Sequence, residues 1–305
     1  MNDVIAIVGP TASGKSSTAD IVAGALCSEV ISVDAMQIYR GMDIGTAKVP
    51  EEDRVVPLRM VDVCDVDDTW SAEVFRNEAR GVIDTLHAQN KIPVLCGGTG
   101  LYLNATIDDM DFPKGNTTST TRIYYTQFAK DNGNEATWNV LNEKDPDSAA
   151  LIHPNNVRRV IRALEMYEEG GSYAHQNKNL YKRKPYYNSS IYGLMWPREQ
   201  LYERINLRVD IMMEQGLLKE VQGLLDLGLL DSLTSKQAIG YKEILGYIKG
   251  EYDLDEAIEL IKRNTRRYAK RQMTWFKKDE RIKWFDMSST TCDEAAQIIL
   301  DQINY

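Results

Sequence analysis

Residues 9–16 have the types and the spacing of a phosphate-binding loop. Their order, Gly9-Pro10-Thr11-Ala12-Ser13-Gly14-Lys15-Ser16, fits G-x-x-x-x-G-K-[ST]. Backbone N–H groups of such a loop point at an anion, while Lys15 adds a positive charge and Ser16 offers a hydroxyl to Mg²⁺. An apolar run at 4–8 and a helix-like segment at 17–26 supply the strand and the helix that the motif needs. The sequence therefore predicts a phosphate or diphosphate site with Ser16 as the metal ligand.

Two further polar residues follow predicted strands. Asp34 comes directly after the apolar run 30–33, and an acid at that end of a strand lies where open α/β sheets bind ligands. It can cap the next segment or hold Mg²⁺ through water, or it can act as the general base towards a nucleophile. Thr99 lies in a glycine-flanked turn after the run 92–96, where its hydroxyl can reach a substrate or the glycines can serve turn geometry alone. Spacing leaves both choices open.

One pair of arginines is a candidate for holding phosphate oxygens. Arg204 and Arg208 stand at i and i+4, so they share one face of a helix. They can clamp an anion, or they can form the commoner solvated face with Glu203 or Asp210 as partners.

A stripe of cations near the C-terminal end is the second basic feature. Between Arg263 and Lys278 no acidic residue occurs, which is unusual for a face that is merely solvated. The spacing places five cations on one side of a helix and an apolar set that includes Tyr268 on the other, towards the core. The stripe predicts a polyanion such as nucleic acid, with a solvated face as the alternative, and it comprises Arg263, Arg266, Arg267, Lys270 and Arg271.

The elements that must position these residues alternate along the chain. Strands are predicted at 4–8, 30–33, 58–63, 92–96, 190–196 and 282–285, and helices at 17–26, 71–89, 200–227, 236–248, 255–277 and 293–303. This order indicates an α/β fold, a P-loop NTPase-like parallel sheet flanked by helices. After a polar stretch at 113–121 the pattern is helical, which predicts an inserted all-helical domain at 113–187 in a core formed by 1–112 and 188–305. The alternative is a helical elaboration packed on the core.

Composition excludes several classes of protein. The net charge of −9 argues against a protein that coats nucleic acid indiscriminately. The sequence contains no run of 18 apolar residues, so it predicts no membrane span. We expect no signal peptide, because the chain enters its first strand at once. The four cysteines and three histidines show no metal spacing, so we expect reduced thiols, no zinc and a cytoplasmic protein, which we take to be a monomer.

An ordered set of sequence blocks, taken together with the P-loop, resembles the tRNA isopentenyltransferase family of P-loop type, the bacterial tRNA dimethylallyltransferases. The blocks span nearly the whole chain, and Asp34-Ala35 stands where the family usually has Asp-Ser. They are ISVDAMQIY at 31–39, GMDIGTAK at 41–48, GGTGLY at 97–102, IHPNNVRRVIRALE at 152–165, AIGYKE at 238–243 and YAKRQMTWF at 268–276.

The resemblance implies an activity and assigns roles to residues. The family transfers a dimethylallyl group from dimethylallyl diphosphate to the exocyclic N6 amine of the adenine 3′-adjacent to the anticodon in tRNA, and diphosphate leaves. Lys15, the rest of the P-loop, Mg²⁺ and Arg208 would then hold the diphosphate, while Asp34 acts as general base and Thr99 orients the substrates. One alternative is a P-loop kinase for small molecules, which leaves the basic stripe unexplained. Another is an enzyme that prenylates adenine nucleotides, which needs neither the insert nor the stripe. A third is a binding module without catalysis, against which Lys15, Ser16, Asp34 and Thr99 argue.

The resemblance also implies contacts with the anticodon stem-loop of tRNA, to which the periodicity adds the cationic stripe 263–271. The residues that match the family's contact regions are Asp34, Ala35, Met36, Gln37, Thr99, Arg122, Arg158, Arg159, Val160, Ile161 and Arg162.

Overall fold

The structure, a computed structural model, describes residues 3–110, 112, 119–180 and 184–303. Its centre is a parallel sheet of the strands β1 (Asp3–Val8), β2 (Val30–Val33), β3 (Leu58–Arg59), β4 (Val94–Gly97), β5 (Asn188–Met195) and β6 (Ile282–Asp286). Within the described residues their order in the sheet is β3-β2-β4-β1-β5-β6. The predicted α/β fold with a parallel sheet is confirmed, although the third strand has two residues where the sequence predicts six.

Both faces of the sheet are covered, which explains why the central strands are apolar without alternation. Along β1, Val4, Ala6 and Val8 belong to one buried apolar cluster, whereas Ile5 and Ile7 belong to another. β1 lies between β4 and β5, with Val8 in register with Gly97 and Gly193. The carboxyl ends of the central strands therefore meet at one edge, where ligands bind in such folds.

The helices follow the predicted order, and two further short helices, α3 and α7, are ones that the sequence does not predict. Within the described residues they are α1 (Lys15–Ala25), α2 (Ala72–Ala88), α3 (Gly100–Ile107), α4 (Thr120–Lys144), α5 (Pro146–Ala149), α6 (Val157–Glu168), α7 (Tyr173–Leu180), α8 (Arg198–Glu214), α9 (Leu217–Leu225), α10 (Tyr241–Ile248), α11 (Leu254–Phe276) and α12 (Cys292–Ile303).

Two predicted helices are wrong in extent. The single helix predicted at 200–227 is divided into α8 and α9 at Gly216, whose φ is 101°. The helix predicted at 236–248 begins only at Tyr241, after Gly240 with a φ of 96°. Both glycines adopt a left-handed backbone that a helix interior does not permit, so each one starts a new helix direction.

The chain divides into two compact units. One comprises Met1–Ile107 with Pro185–Tyr305, and the other comprises Asp108–Lys184. The second unit is built from α4 to α7 around its own apolar cluster, which includes Leu141, Val160 and Leu164. Of the polar stretch predicted at 113–121, residues 113–118 lie outside the described residues. The role of residues 113–187 as a tRNA-contacting domain stays a prediction.

In the part of the chain that the structure describes, none of the helices combines the length and the apolar composition that a membrane crossing needs.

Candidate active site

The P-loop joins the carboxyl end of β1 to α1, so the first helical turn presents its N–H groups at the loop, as an anion site requires. Side chains from distant parts of the chain hold the outer side of its backbone. Gln272 accepts a hydrogen bond from Thr11 N at 3.0 Å, Arg204 Nε donates to the Ala12 carbonyl at 2.9 Å, and Trp196 Nε1 donates to the Ser13 carbonyl at 3.1 Å. The conformation of the loop therefore depends on α8 and α11 as well as on its own glycines.

Two cations stand inside the loop region. Lys15 Nζ donates to the Pro10 carbonyl at 2.5 Å, and burial lowers the pKa of this amine to about 8. Arg208 donates from a guanidinium nitrogen to Thr11 Oγ1 at 3.3 Å, and burial, followed by the neighbouring Arg204, lowers its pKa. Since burial disfavours both positive charges, an arriving anion relieves an existing electrostatic cost.

The solvated face that we considered the commoner arrangement holds for Arg204, which is exposed, but not for Arg208, which is half-buried. Asp210, one of the acids expected to pair with them, forms an ion pair with Lys262 at 2.7 Å instead. Arg204 stacks over the ring of Trp196, with 4.3 Å from its guanidinium carbon to the ring centroid. Both arginines of α8 thus contact the P-loop, Arg204 at the Ala12 carbonyl and Arg208 at the Thr11 hydroxyl.

Asp34 lies at the carboxyl end of β2 and faces the same cleft as Lys15. Its Oδ1 accepts a hydrogen bond from Met36 N at 2.8 Å. Burial raises the pKa of this carboxyl, while the N–H groups of Met36 and Gln37 and the charge of Lys15 oppose the shift. A carboxylate with a raised pKa is a stronger base, so the environment suits the general-base role.

Thr99 lies next to Asp34 through the contact of β4 with β2. Its Oγ1 accepts a hydrogen bond from Ala35 N at 3.1 Å, and its own N–H donates to the Val33 carbonyl at 3.2 Å. The structure therefore brings together two residues that stand 65 positions apart in the sequence, Asp34 and Thr99.

Tyr268 is a site residue that the sequence reading missed, because periodicity assigned it to the core side of its helix. It lines the cleft, and its side chain interacts with those of Thr99 and Gln272. Burial and the nearby Asp34 raise the pKa of Tyr268 to about 12, so its hydroxyl stays protonated and can donate a hydrogen bond. The block 268–276 carried the only sequence signal for this position.

The cleft itself has a volume of about 340 Å³ and lies within the α/β unit. Lys15, Ser16, Asp34, Arg208 and Tyr268 all line it. The cleft is thus continuous from the predicted diphosphate site to the predicted base.

The residues after Asp34 also line this cleft, and the side chain of one of them, Gln37, forms hydrogen bonds at both its oxygen and its nitrogen. Ser32 Oγ donates to Gln37 Oε1 at 2.7 Å, while Gln37 Nε2 donates to the Thr46 carbonyl at 3.1 Å. Ala35 and Met36 are half-buried beside it. The side-chain amide of Gln37 therefore has a fixed orientation.

The predicted cationic stripe of α11 divides into three parts. Arg271 lines the cleft and lies over the ring of Tyr268, 5.6 Å from its centroid. Arg266 is partly buried and donates to Asn206 Oδ1 at 2.6 Å. The other three cations are exposed and, among the residues that the structure describes, form no ion pair; they are Arg263, Arg267 and Lys270.

In the helical unit, the predicted tRNA contacts differ in what their side chains do. Arg122 donates to Glu165 at 2.6 Å, and Arg162 also pairs with this fully buried carboxylate. Val160 and Ile161 lie in the apolar cluster of the unit, so their side chains support the fold and do not face solvent. The exposed members of the predicted set are Arg158 and Arg159.

The cleft offers oxygen ligands of the kind that Mg²⁺ prefers. The Ser16 hydroxyl stands at the first turn of α1, and the carboxylates of Asp20 and Asp34 line the same cleft. Burial raises the pKa of the neighbouring Cys96 to about 12, so this group stays a neutral thiol, a poor ligand for a hard cation. No group of three His, Cys, Asp or Glu side chains suited to a metal occurs in the described ranges. The Ser16 hydroxyl and the nearby carboxylates therefore fit a hard cation such as Mg²⁺, which Ser16 would hold.

Known proteins of one family match this chain over nearly its whole length. The IPP transferase family model matches residues 37–279. A tRNA dimethylallyltransferase of Alkaliphilus oremlandii is 45% identical over 97% of this chain and 96% of its own, and one of Geobacillus thermodenitrificans is 46% identical over 93% and 90%.

Solved structures give the same result for the fold. The full-length tRNA isopentenylpyrophosphate transferase of Bacillus halodurans superposes with a TM-score of 0.74 at 42% identity, covering 100% of this chain and 96% of its own. A eukaryotic dimethylallyltransferase acting on tRNA gives a TM-score of 0.81 at 29% identity, over 99% of this chain and 79% of its own.

Proposed function

Because this chain belongs to the IPP transferase family, we propose that it transfers a dimethylallyl group from dimethylallyl diphosphate to the N6 amine of the adenine 3′-adjacent to the anticodon in tRNA, releasing diphosphate. The family resemblance found in the sequence blocks is confirmed by these comparisons. One observation in the structure carries the proposal further: Lys15, Arg208 and Asp34 line one cleft, and Thr99 lies beside Asp34, where its hydroxyl accepts a hydrogen bond from Ala35 N.

The chemistry requires this juxtaposition. A C–N bond forms between the adenine N6 and the dimethylallyl carbon, the C–O bond to the diphosphate breaks, and N6 loses a proton. Asp34 accepts that proton, because its carboxylate is buried and its pKa is raised. Lys15 and Arg208 stabilise the negative charge that grows on the departing diphosphate. Ser16 would hold Mg²⁺, which supplies further charge stabilisation to these oxygens when bound.

Thr99 and Tyr268 position the acceptor beside Asp34. The Thr99 hydroxyl already accepts from Ala35 N, and the Tyr268 hydroxyl stays protonated next to it. Both groups can therefore donate to or accept from the adenine edge while Asp34 takes the proton. An adenine in an anticodon loop has to leave its stack to reach such a cleft, as for other enzymes that modify a base.

Recognition of the tRNA backbone would come from cations that no carboxylate neutralises. As far as the described residues show, Arg263, Arg267 and Lys270 on α11 meet that condition. Arg158 and Arg159 in the helical unit add exposed charge of the same sign. Such contacts with phosphates give affinity that falls as salt rises.

We also propose that one chain suffices for the reaction and that it works in the cytoplasm. Lys15, Asp34, Thr99 and Arg208 all come from the α/β unit of a single chain.

Mass analysis of an anticodon stem-loop after incubation with dimethylallyl diphosphate, Mg²⁺ and the protein tests the proposal. We expect the stem-loop to gain one dimethylallyl group in place of one hydrogen. AMP and ATP serve as competing substrates. Prenylation of AMP but not of the stem-loop would favour the adenine-nucleotide enzyme, and phosphoryl transfer from ATP would favour the kinase; either result would refute the proposal.

A further inference from the structure

The segment Gly41–Lys48, which no role assigned above includes, is fastened at its centre by one carboxylate. Glu220, in the first turn of α9, accepts hydrogen bonds from three successive backbone N–H groups. The distances are 3.1 Å to Asp43 N, 2.7 Å to Ile44 N and 3.1 Å to Gly45 N. A carboxylate has enough lone pairs for all three donors, and a charged acceptor makes each of these bonds stronger than a neutral one.

A fourth donor reaches the same carboxylate. The Tyr241 hydroxyl donates to Glu220 Oε1 at 2.6 Å, and burial raises the pKa of this phenol, so it remains a donor. The ring of Tyr241 lies so close to Gly45 that a Cβ at this position would collide with it. Glycine is therefore required here by close approach, and the segment can lie flat against α10 only because residue 45 has no side chain.

The C-terminal end of the segment has its own anchor. Lys48 is buried, and its Nζ donates to the Tyr39 carbonyl at 3.0 Å, to Asp43 Oδ1 at 2.5 Å and to Asp62 Oδ1 at 2.6 Å. The segment is thus held at two points, at the amides of residues 43–45 and at Lys48, with residues 46 and 47 between them.

These held residues form part of the cleft wall and touch the site through Gln37. Gly45, Thr46 and Ala47 line the cleft. The carbonyls of Thr46 and Ala47 lie 3.1 and 3.5 Å from Gln37 Nε2, and Gln37 Oε1 accepts from Ser32. Gln37 follows Asp34 by three residues in the same turn. A shift of residues 45–47 would consequently reorient Gln37 and widen the cleft next to the proposed base.

We propose that Glu220 is a positioning residue for the transfer reaction: by holding the amides of residues 43–45 it fixes the cleft wall that orients Gln37 beside Asp34. This inference rests on the proposed function, since it names the residue that shapes the same site. Glu220 does not line the cleft, so it acts through the segment and not on the substrate.

The Glu220→Gln variant tests the inference, because an amide keeps the size of the side chain but turns one acceptor into a donor that faces the N–H groups. Glu214→Gln is the matched control: Glu214 is exposed, and its side chain has no hydrogen bond or ion pair among the described residues. Three properties would be measured in the full-length protein, namely hydrogen exchange of residues 41–48, kcat with the anticodon stem-loop, and affinity for pyrophosphate.

We expect faster exchange at 43–45 and a loss of about tenfold or more in kcat, with pyrophosphate affinity within about twofold of the parent protein because the P-loop is untouched. An unchanged kcat despite faster exchange would overturn the positioning role. A parallel loss of pyrophosphate affinity would overturn it as well, since it would indicate general damage to the fold. If the parent protein itself does not prenylate the stem-loop, the proposed function fails, a result distinct from any difference between variants.

Tyr241→Phe provides a milder second variant if Glu220→Gln does not fold. It removes one of four donors, and we expect a loss of about threefold in kcat with the same unchanged pyrophosphate affinity. A kcat equal to that of the parent protein in this variant, together with faster exchange at 43–45, would contradict the inference.

Discussion

The interior of the cleft and the outer face of α11 both carry positive charge, but they hold it in opposite environments. Lys15 and Arg208 are half-buried, and desolvation of their charged groups lowers the pKa of each. Arg263, Arg267 and Lys270 are exposed, and within the described residues no carboxylate pairs with them. The first set suits one small anion in a fixed geometry, whereas the second suits an extended polyanion that exchanges with salt ions.

A third arrangement appears in the helical unit and explains why a count of arginines is a poor guide to binding. Arg122 and Arg162 share the buried Glu165. Burial alone would raise the pKa of Glu165, but hydrogen bonds from Arg162, Ser119 and Arg122 outweigh it and lower that pKa. These two arginines thus complete a structural network, whatever further contacts they make with RNA.

The largest expected effect lies inside the cleft. Asp34→Ala should reduce kcat by about a thousandfold, because the amine loses its proton acceptor, while affinity for tRNA changes little since the charges of α11 are untouched. The measurements are single-turnover prenylation and tRNA binding.

Asp34→Asn is the matched control, since it keeps an oxygen that can accept from Met36 N but cannot act as a base. It should be as inactive as Asp34→Ala. Near-parent turnover in either variant would refute the general-base role.

The next effect lies on the outer face. Replacing Arg263, Arg267 and Lys270 together by Gln should weaken tRNA binding by about ten- to a hundredfold at low salt and lower the slope of log K against log salt by about two. Prenylation at saturating tRNA should remain, because none of the three lines the cleft.

The control for this triple variant is another with the same change in net charge, in which the exposed Lys219, Lys249 and Lys277 become Gln. If both triple variants weaken binding equally, the effect is one of net charge, and the distinction between the three stripe cations and other exposed cations is lost.

The smallest expected effect is the pH dependence of kcat/KM for the donor. Since the folded-state pKa of Lys15 is lowered to about 8, its charge is present below that pH and is lost above it. Activity should therefore be about halved at pH 8 and fall further above it. On the acidic side, activity should fall as Asp34 becomes protonated, at a pH above the ordinary pKa of an aspartate.

Lys15→Arg keeps its charge through this range, so the alkaline limb should move upward in that variant even if overall activity is lower. An alkaline limb near the ordinary lysine pKa, or one that Lys15→Arg leaves in place, would contradict a desolvated amine in the cleft.

Local sequence patterns were sufficient for the features that local chemistry determines. The P-loop follows from eight consecutive residues, and the strand ends that carry Asp34 and Thr99 follow from short apolar runs. Periodicity also placed α11 correctly, at Leu254–Phe276 against a predicted 255–277.

The same patterns failed where a neighbour from elsewhere in the chain decides the environment. Periodicity assigned Tyr268 to the core, but the strand ends carrying Thr99 and Asp34 lie opposite it and make it part of the site. The arginine pair 204 and 208 was expected to have Glu203 or Asp210 as a partner, yet Asp210 pairs with Lys262 and Arg208 donates to the P-loop. The division of the stripe likewise depends on Asn206, which lies on a different helix.

By itself the sequence determined the anion loop, the order of strands and helices, and the blocks that identify the family, since each of these depends on residues close together in the chain. Tertiary structure alone decided which charges are buried, which are paired and which face solvent. It also decided that Glu220 would hold the amides of residues 43–45, some 175 residues earlier in the chain. The physical reason is that desolvation and pairing depend on distances between side chains, and only the packed fold sets those distances.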